Sequence, residues 1–212
     1  MRISKWWLGS LFAVIVLGTW FVLKRDTPVS PEVLSSHRDE VFHDADAPVG
    51  GNPEGDVTLV EFYDYNCPYC RQMSAVIGQI EAADPQLRLV YKEWPILGSV
   101  FPAKAALAAN RQGRFMALHR ALYQLRGEVD QGKTLATAKS LGLDVDRLQS
   151  DIADPAIDAM LQRNLVLARV LKIDGTPGFI IGDRILIGPT ELDKLQTVIR
   201  NTRDGKPTQA RL

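Results

Sequence analysis

Two cysteines form the most chemically specific feature of this chain. Cys67 and Cys70 are the only cysteines among its 212 residues, and two residues separate them. Such a Cys-x-x-Cys pair can cycle between a dithiol and a disulfide, and the reacting species is the thiolate. A free thiol with a pKa of about 8.5 is only slightly ionised at neutral pH, so the fold must stabilise the thiolate. The spacing therefore predicts a thiol–disulfide exchange site.

The segments around the pair indicate how a thiolate would be stabilised. Val57–Tyr63 is a β-branched and aromatic run typical of a central strand, and 71–83 has helical periodicity. Cys67 would then lie at a helix N-terminus, near unpaired N–H donors and the positive end of the helix dipole. Pro68 suits the first helical position, where no N–H is needed. Cys67 is the predicted nucleophile, and Cys70, one turn later, the less exposed resolving thiol.

A Thr-Pro pair is the second candidate element. Pro177 opens a predicted strand at 178–181, which disfavours a fully paired position there. A cis bond between Thr176 and Pro177 would leave the Thr176 backbone free to pair with an extended substrate, whereas the alternative is a simple turn. Thr176, Pro177 and the two residues between the cysteines, Pro68 and Tyr69, are the predicted substrate contacts.

Glu61 is the third candidate. It is a carboxylate in an otherwise apolar strand, six residues before Cys67. If it is buried near the helix start, its pKa should be raised, and it could accept and return the Cys70 proton. The alternative is a surface-facing strand residue. Lys92 on the next predicted strand is a candidate partner for Glu61.

Composition excludes several other kinds of site. The formal net charge is +0, and no cluster of Lys and Arg indicates a nucleic-acid surface. Two cysteines cannot supply a four-thiolate zinc site, and His37, His43 and His119 lack metal-ligand spacing. These histidines are interpreted as ordinary surface or half-buried residues. No cofactor or metal is predicted beyond the Cys67–Cys70 disulfide itself.

The N-terminal segment, 1–23, predicts export. Trp6 to Leu23 is an uncharged run that would span roughly 27 Å as a helix, close to a bilayer core of about 30 Å. No good small-x-small site follows it, which favours an uncleaved signal anchor over a cleaved signal peptide. Both alternatives place the domain outside the cytoplasm.

A juxtamembrane linker, 24–47, follows. Ser30-Pro31 has the form of a helix start, and Val33, Leu34, His37, Val41 and Phe42 lie near one face of a short helix. This face is predicted to pack on the domain, with a dimer contact as the alternative.

The remaining segments predict an α/β domain at 48–201. A strand at 87–93 follows the first helix, and a helical block occupies about 99–171, with helices at 102–111, 114–125, 133–141, 145–152 and 155–171. Strands return at 178–181 and 184–187 across a Gly182-Asp183 turn, and a closing helix starts at Gly188-Pro189 and runs to about 200. This order is that of a thioredoxin-like fold with an inserted helical domain. Residues 202–212 are predicted to be a flexible tail.

Four stretches resemble the DsbA-type thioredoxin-fold disulfide oxidoreductases, and most closely their copper-tolerance-associated and outer-membrane immunogenic relatives. They are Gly51–Phe62, Asp64–Cys70, Glu93–Gly98 and Gly175–Pro177. The resemblance implies a periplasmic or surface location, a cis Pro177, Cys67 as exposed nucleophile and Glu61 as the family's buried acid. Tyr69 stands where strong oxidants of the family carry histidine, and Thr176 where they carry valine. These departures predict a less oxidising disulfide.

The combined prediction is an exported, membrane-tethered thiol–disulfide oxidoreductase that forms or rearranges disulfides in other exported proteins. A membrane thiol oxidase or reductase would be its electron partner. The alternatives are an isomerase or reductase kept in the dithiol state and, more distantly, a non-enzymatic copper(I) binder using the two soft thiolates. The sequence does not reveal the direction of electron flow, the substrates or the oligomeric state.

Overall fold

A computed structural model describes residues 31–206. The predicted signal anchor, the start of the linker and the end of the tail lie outside these residues. Within 31–206, no helix combines the length and apolarity needed to cross a membrane.

Five strands form one mixed sheet. They are β1 (Val49–Gly51), β2 (Val57–Tyr63), β3 (Leu87–Glu93), β4 (Gly178–Ile181) and β5 (Arg184–Ile187), in the order β1-β3-β2-β4-β5. β2 and β3 are parallel, and the other neighbours are antiparallel. β2 is therefore the central strand, as its apolar residues on both faces predict. Gly182 turns the β4–β5 hairpin with a φ of +59°.

Nine helices are described. They are α1 (Pro31–Ser36), α2 (Arg38–Phe42), α3 (Pro68–Ala83), α4 (Val100–Asn110), α5 (Phe115–Gln124), α6 (Gln131–Ser140), α7 (Val145–Ile152), α8 (Pro155–Val170) and α9 (Leu192–Arg203). Asp130, Asp144 and Asp154 each cap a helix, accepting the backbone N–H of Lys133, Arg147 and Ala156. The predicted order of elements is confirmed from β2 onward.

Two clusters of buried side chains cover opposite faces of the sheet. On one face, Leu59, Tyr63 and Tyr91 pack with α3, α4 to α7 and α9. On the other face, Val60, Phe62 and Val90 pack with Leu34, Val41 and Phe42 of the N-terminal helices and with the end of α8. The linker helices therefore pack on the domain, as predicted. They form two short helices, because a turn at His37 separates them.

Three predictions about elements were wrong. The turn-rich segment before β2 contains the strand β1. It joins the sheet through the pairing of Val49 with Val90 and of Gly51 with Arg88. The closing helix begins at Leu192, because the Gly188 N–H still bonds to the Pro177 carbonyl at 2.7 Å. That helix continues to Arg203, so the first residues assigned to the tail are helical.

Candidate redox site

The two cysteines occupy the start of α3. Cys67 is the N-cap residue and Pro68 the first helical residue, so the predicted placement is confirmed. The Cys67 residue is 3% exposed and the Cys70 residue 0%, and neither is in a disulfide. The expectation of an exposed Cys67 is therefore wrong, because the Thr176 carbonyl packs against its sulfur. The Cys70 N–H donates to Cys67 Sγ at 3.4 Å, so the helix directs one of its unpaired amides at this sulfur.

The pKa values of the two thiols diverge. The pKa of Cys67 falls from 9.0 to about 5, chiefly because the Cys70 side chain hydrogen-bonds its sulfur, with further bonds from Thr176 and the Cys70 and Tyr69 amides. The pKa of Cys70 is raised far above 9.0, because this thiol is buried, bonds to Cys67 and lies near Glu61. At neutral pH the pair therefore consists of one thiolate and one thiol, the arrangement that exchange chemistry needs.

The Thr-Pro loop lies directly against the nucleophile. The Thr176–Pro177 bond is cis, as predicted. The Thr176 carbonyl accepts a hydrogen bond from the protonated Cys67 thiol at 3.3 Å, so a loop 109 residues later completes the site. Thr176 is 9% exposed, whereas Tyr69, on the helix beside it, is 54% exposed. The fold thus brings the four predicted substrate contacts to one edge of the domain.

Glu61 is buried beneath this edge. Its residue is 2% exposed, and Oε1 has no hydrogen-bond partner in the described part of the chain. Burial, and next the charge of Cys67, raises the pKa of Glu61 from 4.5 to about 8. The surface-facing alternative is therefore wrong, and the raised pKa is as expected.

Lys92 is not the partner of Glu61. Register pairs Glu61 with Tyr91 and Phe62 with Lys92, so Lys92 lies on the opposite face of the sheet. Its Nζ donates to Asp44 Oδ2 at 2.5 Å, in the loop after α2. The prediction failed because neighbouring strands were compared without their register.

A loop ahead of Cys67 depends on Asp64, which sequence reasoning treated only as part of a resembling motif. Asp64 Oδ1 accepts the Asn66 N–H and Oδ2 accepts the Leu97 N–H, both at 2.6 Å. The Asp64 carbonyl accepts the Cys67 N–H at 3.1 Å. An Asp at the end of a strand is a recognisable signal for an Asx turn, in which its side chain accepts the backbone N–H two residues later.

A second buried acid, Glu93, was also missed. It is 0% exposed, and burial raises its pKa to about 8. Tyr63 lowers that pKa somewhat, but no hydrogen bond of ordinary geometry reaches either carboxylate oxygen. Glu93 pairs in register with Tyr63, on the same face as Glu61. The available signal in the sequence was an acidic residue at the end of a predicted buried strand.

His119 was interpreted as a surface or half-buried residue, and this was wrong. It is 3% exposed, its Nδ1 bonds to the Tyr65 hydroxyl at 3.1 Å, and burial lowers its pKa to about 3. Its ring stacks on Phe115 at a centroid distance of 5.2 Å. His119 is thus a neutral member of an aromatic cluster. Among residues 31–206, no group of three or more His, Cys, Asp and Glu side chains is arranged to hold a metal ion.

Comparison with known proteins agrees with this geometry. Residues 58–200 match the family model of the DSBA-like thioredoxin domain. The chain belongs to this family. The described domain is thus a thiol–disulfide oxidoreductase domain of the DsbA family, and its fold is thioredoxin-like, as predicted.

Solved DsbA-like structures resemble the chain over most of its length. A thioredoxin-like oxidoreductase from Silicibacter pomeroyi is 46% identical with a TM-score of 0.77, covering 79% of this chain and 98% of that one. The catalytic domain of Proteus mirabilis ScsC is 30% identical with a TM-score of 0.75, covering 82% and 98%. The thiol-disulfide exchange protein α-DsbA2 from Wolbachia pipientis is 30% identical with a TM-score of 0.76, covering 82% and 95%. The ScsC relatives fit the predicted copper-tolerance branch.

The curated relatives of the chain include longer proteins. The Na(+)/H(+) antiporter NhaA 3 of Salinispora tropica is 31% identical over 71% of this chain but only 24% of its own length. The chain thus spans about a quarter of that relative. The thiol:disulfide interchange protein DsbA of Bordetella parapertussis is 26% identical over 67% of this chain and 71% of its own length.

Proposed function

We propose that this protein is an exported thiol–disulfide oxidoreductase that forms or rearranges disulfides in other exported proteins. The observation that carries the proposal is the position of Cys67 at the N-cap of α3, where the Cys70 N–H donates to its sulfur at 3.4 Å and the cis Thr176–Pro177 loop lies against it. The lowered pKa of Cys67 and the raised pKa of Cys70 agree with this geometry. Substrate proteins would contact Tyr69, Pro68 and the Thr176-Pro177 loop. Export rests on the predicted N-terminal anchor and on family membership; a Salmonella structural relative is described as periplasmic.

The proposed reaction passes through a mixed disulfide. In the oxidising direction, a substrate thiolate attacks Cys67 Sγ of the Cys67–Cys70 disulfide, and Cys70 leaves as a thiolate that takes a proton. A second substrate thiolate then attacks the substrate sulfur of the mixed disulfide, so Cys67 leaves as a thiolate. Two electrons pass from the substrate dithiol to the enzyme disulfide. A membrane thiol oxidase would reoxidise the enzyme.

Glu61 is the proposed proton acceptor and donor for Cys70. In the mixed disulfide Cys67 carries no charge, so its contribution to the raised pKa of Glu61 disappears. The Glu61 carboxyl therefore ionises more readily at the stage where the Cys70 thiol must lose its proton. In this proposal, the charge state of Cys67 therefore controls whether Glu61 is available as a base.

The oxidising strength should be intermediate. Thiolate stabilisation favours the reduced form and so makes the disulfide more oxidising. The pKa of Cys67 is lowered, whereas Tyr69 stands where the strong oxidants of the family carry histidine. This supports an oxidase of moderate strength, with the isomerase or reductase as the alternative in the same chemistry.

The test combines trapping of the mixed disulfide with measurement of the reduction potential. A Cys70→Ser variant should accumulate a mixed disulfide with one half of a peptide disulfide, releasing the other half as a thiol, whereas Cys67→Ser should form none. The reduction potential against glutathione, and alkylation of the thiols in cells, then give the direction of flux. Absence of any mixed disulfide in Cys70→Ser would refute the proposed function, and a pair found mostly reduced in cells would assign the isomerase or reductase.

A further inference from the structure

A loop of the helical insertion lies beside the turn that carries the two cysteines. It joins α5 to α6, and we call residues 125–129 the insertion loop. The Val129 N–H at its end donates to Asn66 Oδ1 at 2.8 Å, and Asn66 immediately precedes Cys67. Bond lengths alone therefore place the Val129 nitrogen within about 13 Å of the Cys67 sulfur. A substrate joined to this sulfur would span that distance with about four extended residues.

Two cations hold the insertion loop in place. The Arg71 guanidinium, on α3, donates to the first and third carbonyls of the loop, and Lys133 Nζ, on α6, donates to the second and fourth. The four carbonyls belong to Leu125, Arg126, Gly127 and Glu128. Hydrogen bonds from charged donors are stronger than those between neutral groups. The loop is therefore fixed before a substrate arrives, which lowers the entropic cost of binding one.

The N–H groups of the loop are left open, in contrast to its carbonyls. Those of Arg126, Gly127 and Glu128 have no acceptor among residues 31–206, and all three residues are exposed. Unpaired backbone donors of this kind can pair with the carbonyl groups of an extended chain. Because every residue of a polypeptide carries a carbonyl, such pairing does not depend on the sequence of the partner.

We propose that the insertion loop binds the main chain of a polypeptide substrate through these three N–H groups, a few residues away from the substrate cysteine. The inference rests on the proposed function, in which the substrate cysteine reacts at Cys67 beside the Thr176-Pro177 loop. The insertion loop is then a second main-chain contact. It favours extended polypeptides over small disulfides, as an enzyme that acts on many different proteins requires.

A series of peptide disulfides tests the contact in the parent protein. In each peptide the cysteine is flanked on both sides by one to five alanines, which add main-chain groups with almost no side-chain surface. In a turnover assay with glutathione as the reductant, kcat/KM should rise about tenfold up to the fourth alanine, the equivalent of one or two backbone hydrogen bonds, and then stay constant. The reference substrate is 2-hydroxyethyl disulfide, which has no peptide group.

Lys133→Met tests the part that the loop plays in this gain. It removes the donor to two loop carbonyls and leaves α3 unchanged. For the five-alanine peptide, KM should rise about fivefold while kcat stays the same, because a loosened loop weakens hydrogen bonds to the substrate and does not touch the thiols. The matched control is Lys139→Met, which removes the same charge from an exposed residue in the last turn of the same helix.

Hydrogen exchange provides a readout that a purely structural role would not change. In Cys70→Ser, one mixed disulfide is formed with the five-alanine peptide and another with 2-hydroxyethyl disulfide. The amides of Arg126, Gly127 and Glu128 should exchange about tenfold more slowly in the peptide adduct, because the substrate carbonyls then accept their protons.

The outcomes are distinct. The inference is overturned if added alanines bring no gain in the parent protein, if Lys133→Met matches Lys139→Met, or if the three amides exchange equally fast in both adducts. If Lys133→Met does not fold, Gly127→Ala replaces it: a Cβ is strained at the φ of +72°, so the loop should shift and KM for the peptide should rise similarly. A parent protein that reduces neither the peptides nor 2-hydroxyethyl disulfide would refute the proposed function itself.

Discussion

The Cys67 thiolate is stabilised chiefly by the Cys70 side chain. We therefore expect Cys70→Ala to raise the pKa of Cys67, whereas Cys70→Ser, which keeps a hydroxyl donor, should hold it near the parent value of about 5. Thiolate absorbance in the ultraviolet measures both titrations. Equal pKa values in the two variants would contradict the assigned cause.

The same thiol makes the stability of the reduced protein depend on pH. Its pKa is about 5 in the fold and 9.0 without the fold, so the folded state favours the thiolate. The contribution of Cys67 to the stability of the reduced form is full near pH 9 and is lost as the pH falls toward 5. Above pH 9 the raised pKa of Cys70 opposes it, because only the unfolded chain ionises that thiol. Urea unfolding of both forms across this range measures the difference, which a pH-independent offset would disprove.

At Glu61, the predicted effect is on rate. Glu61→Gln should slow the resolving attack by Cys70 about 100-fold, because the variant cannot accept a proton. It should also remove the Glu61 titration from the rate profile; that titration falls below the pKa of about 8 found with Cys67 charged, because Cys67 is neutral in the mixed disulfide. Stopped-flow rates at several pH values provide the measurement. An unchanged pH profile would exclude the role of Glu61 as a base.

At the scale of elements, the loop before α3 depends on hydrogen bonds from one side chain. Asp64→Ala would remove the acceptor of two part-buried amide hydrogen bonds, those of Asn66 and Leu97. We expect a loss of about 2 to 4 kcal/mol in the free energy of unfolding, together with slower exchange, because this loop also binds the Cys67 amide. Chemical denaturation and peptide turnover measure the two effects.

The control for this prediction is a cap on a different helix, α7. Asp144→Ala removes that cap, where Asp144 Oδ1 accepts the Arg147 N–H at 3.0 Å. It should cost about 1 kcal/mol and leave exchange unchanged. If Asp144→Ala slowed exchange as much as Asp64→Ala, the effect of Asp64 would be one of global stability.

Strands and caps were largely predictable because local residue patterns specify them. β2 through β5 have the predicted bounds, since β-branched and aromatic runs fit a buried sheet. β1 was missed because Val49-Gly50-Gly51 has no strand signal of its own and depends on pairing with β3. Likewise, Lys92 could be assigned to a face only when the register of β2 and β3 was known.

The site was predictable for similar reasons and to a similar extent. Cys67, Cys70 and Thr176-Pro177 could be predicted because they belong to short sequence motifs whose chemical role is known. The buried states of Glu93 and His119 instead result from helices α4 to α7, whose packing joins residues far apart in the chain. A pattern within one segment carries no information on such contacts.

At the scale of the whole molecule, the N-terminal helices stabilise the domain from the face opposite the thiols. Phe42 is 4% exposed among Val60, Phe62 and their neighbours. Phe42→Ala should therefore cost about 3 to 5 kcal/mol and do so equally in the reduced and disulfide forms. Denaturation of both forms measures this.

The matched control is Val166→Ala on α8, where the residue is 55% exposed. It should change the free energy of unfolding by less than about 0.5 kcal/mol. A loss at Phe42 that differs between the two redox forms would mean that the two sheet faces communicate.

The alternation of β2 between two faces also bears on how the domain can be joined to other chains. Glu61 and Tyr63 belong to the reacting side, whereas Val60 and Phe62 support the helices that begin at residue 31. A sensor, tether or fusion partner attached before that residue would join the domain on the face of the sheet opposite the thiols. Changes on the two sides should combine additively, because each cluster of side chains packs on its own face of the sheet. The thiols of the redox domain should thus keep their pKa values when a different segment is attached before residue 31.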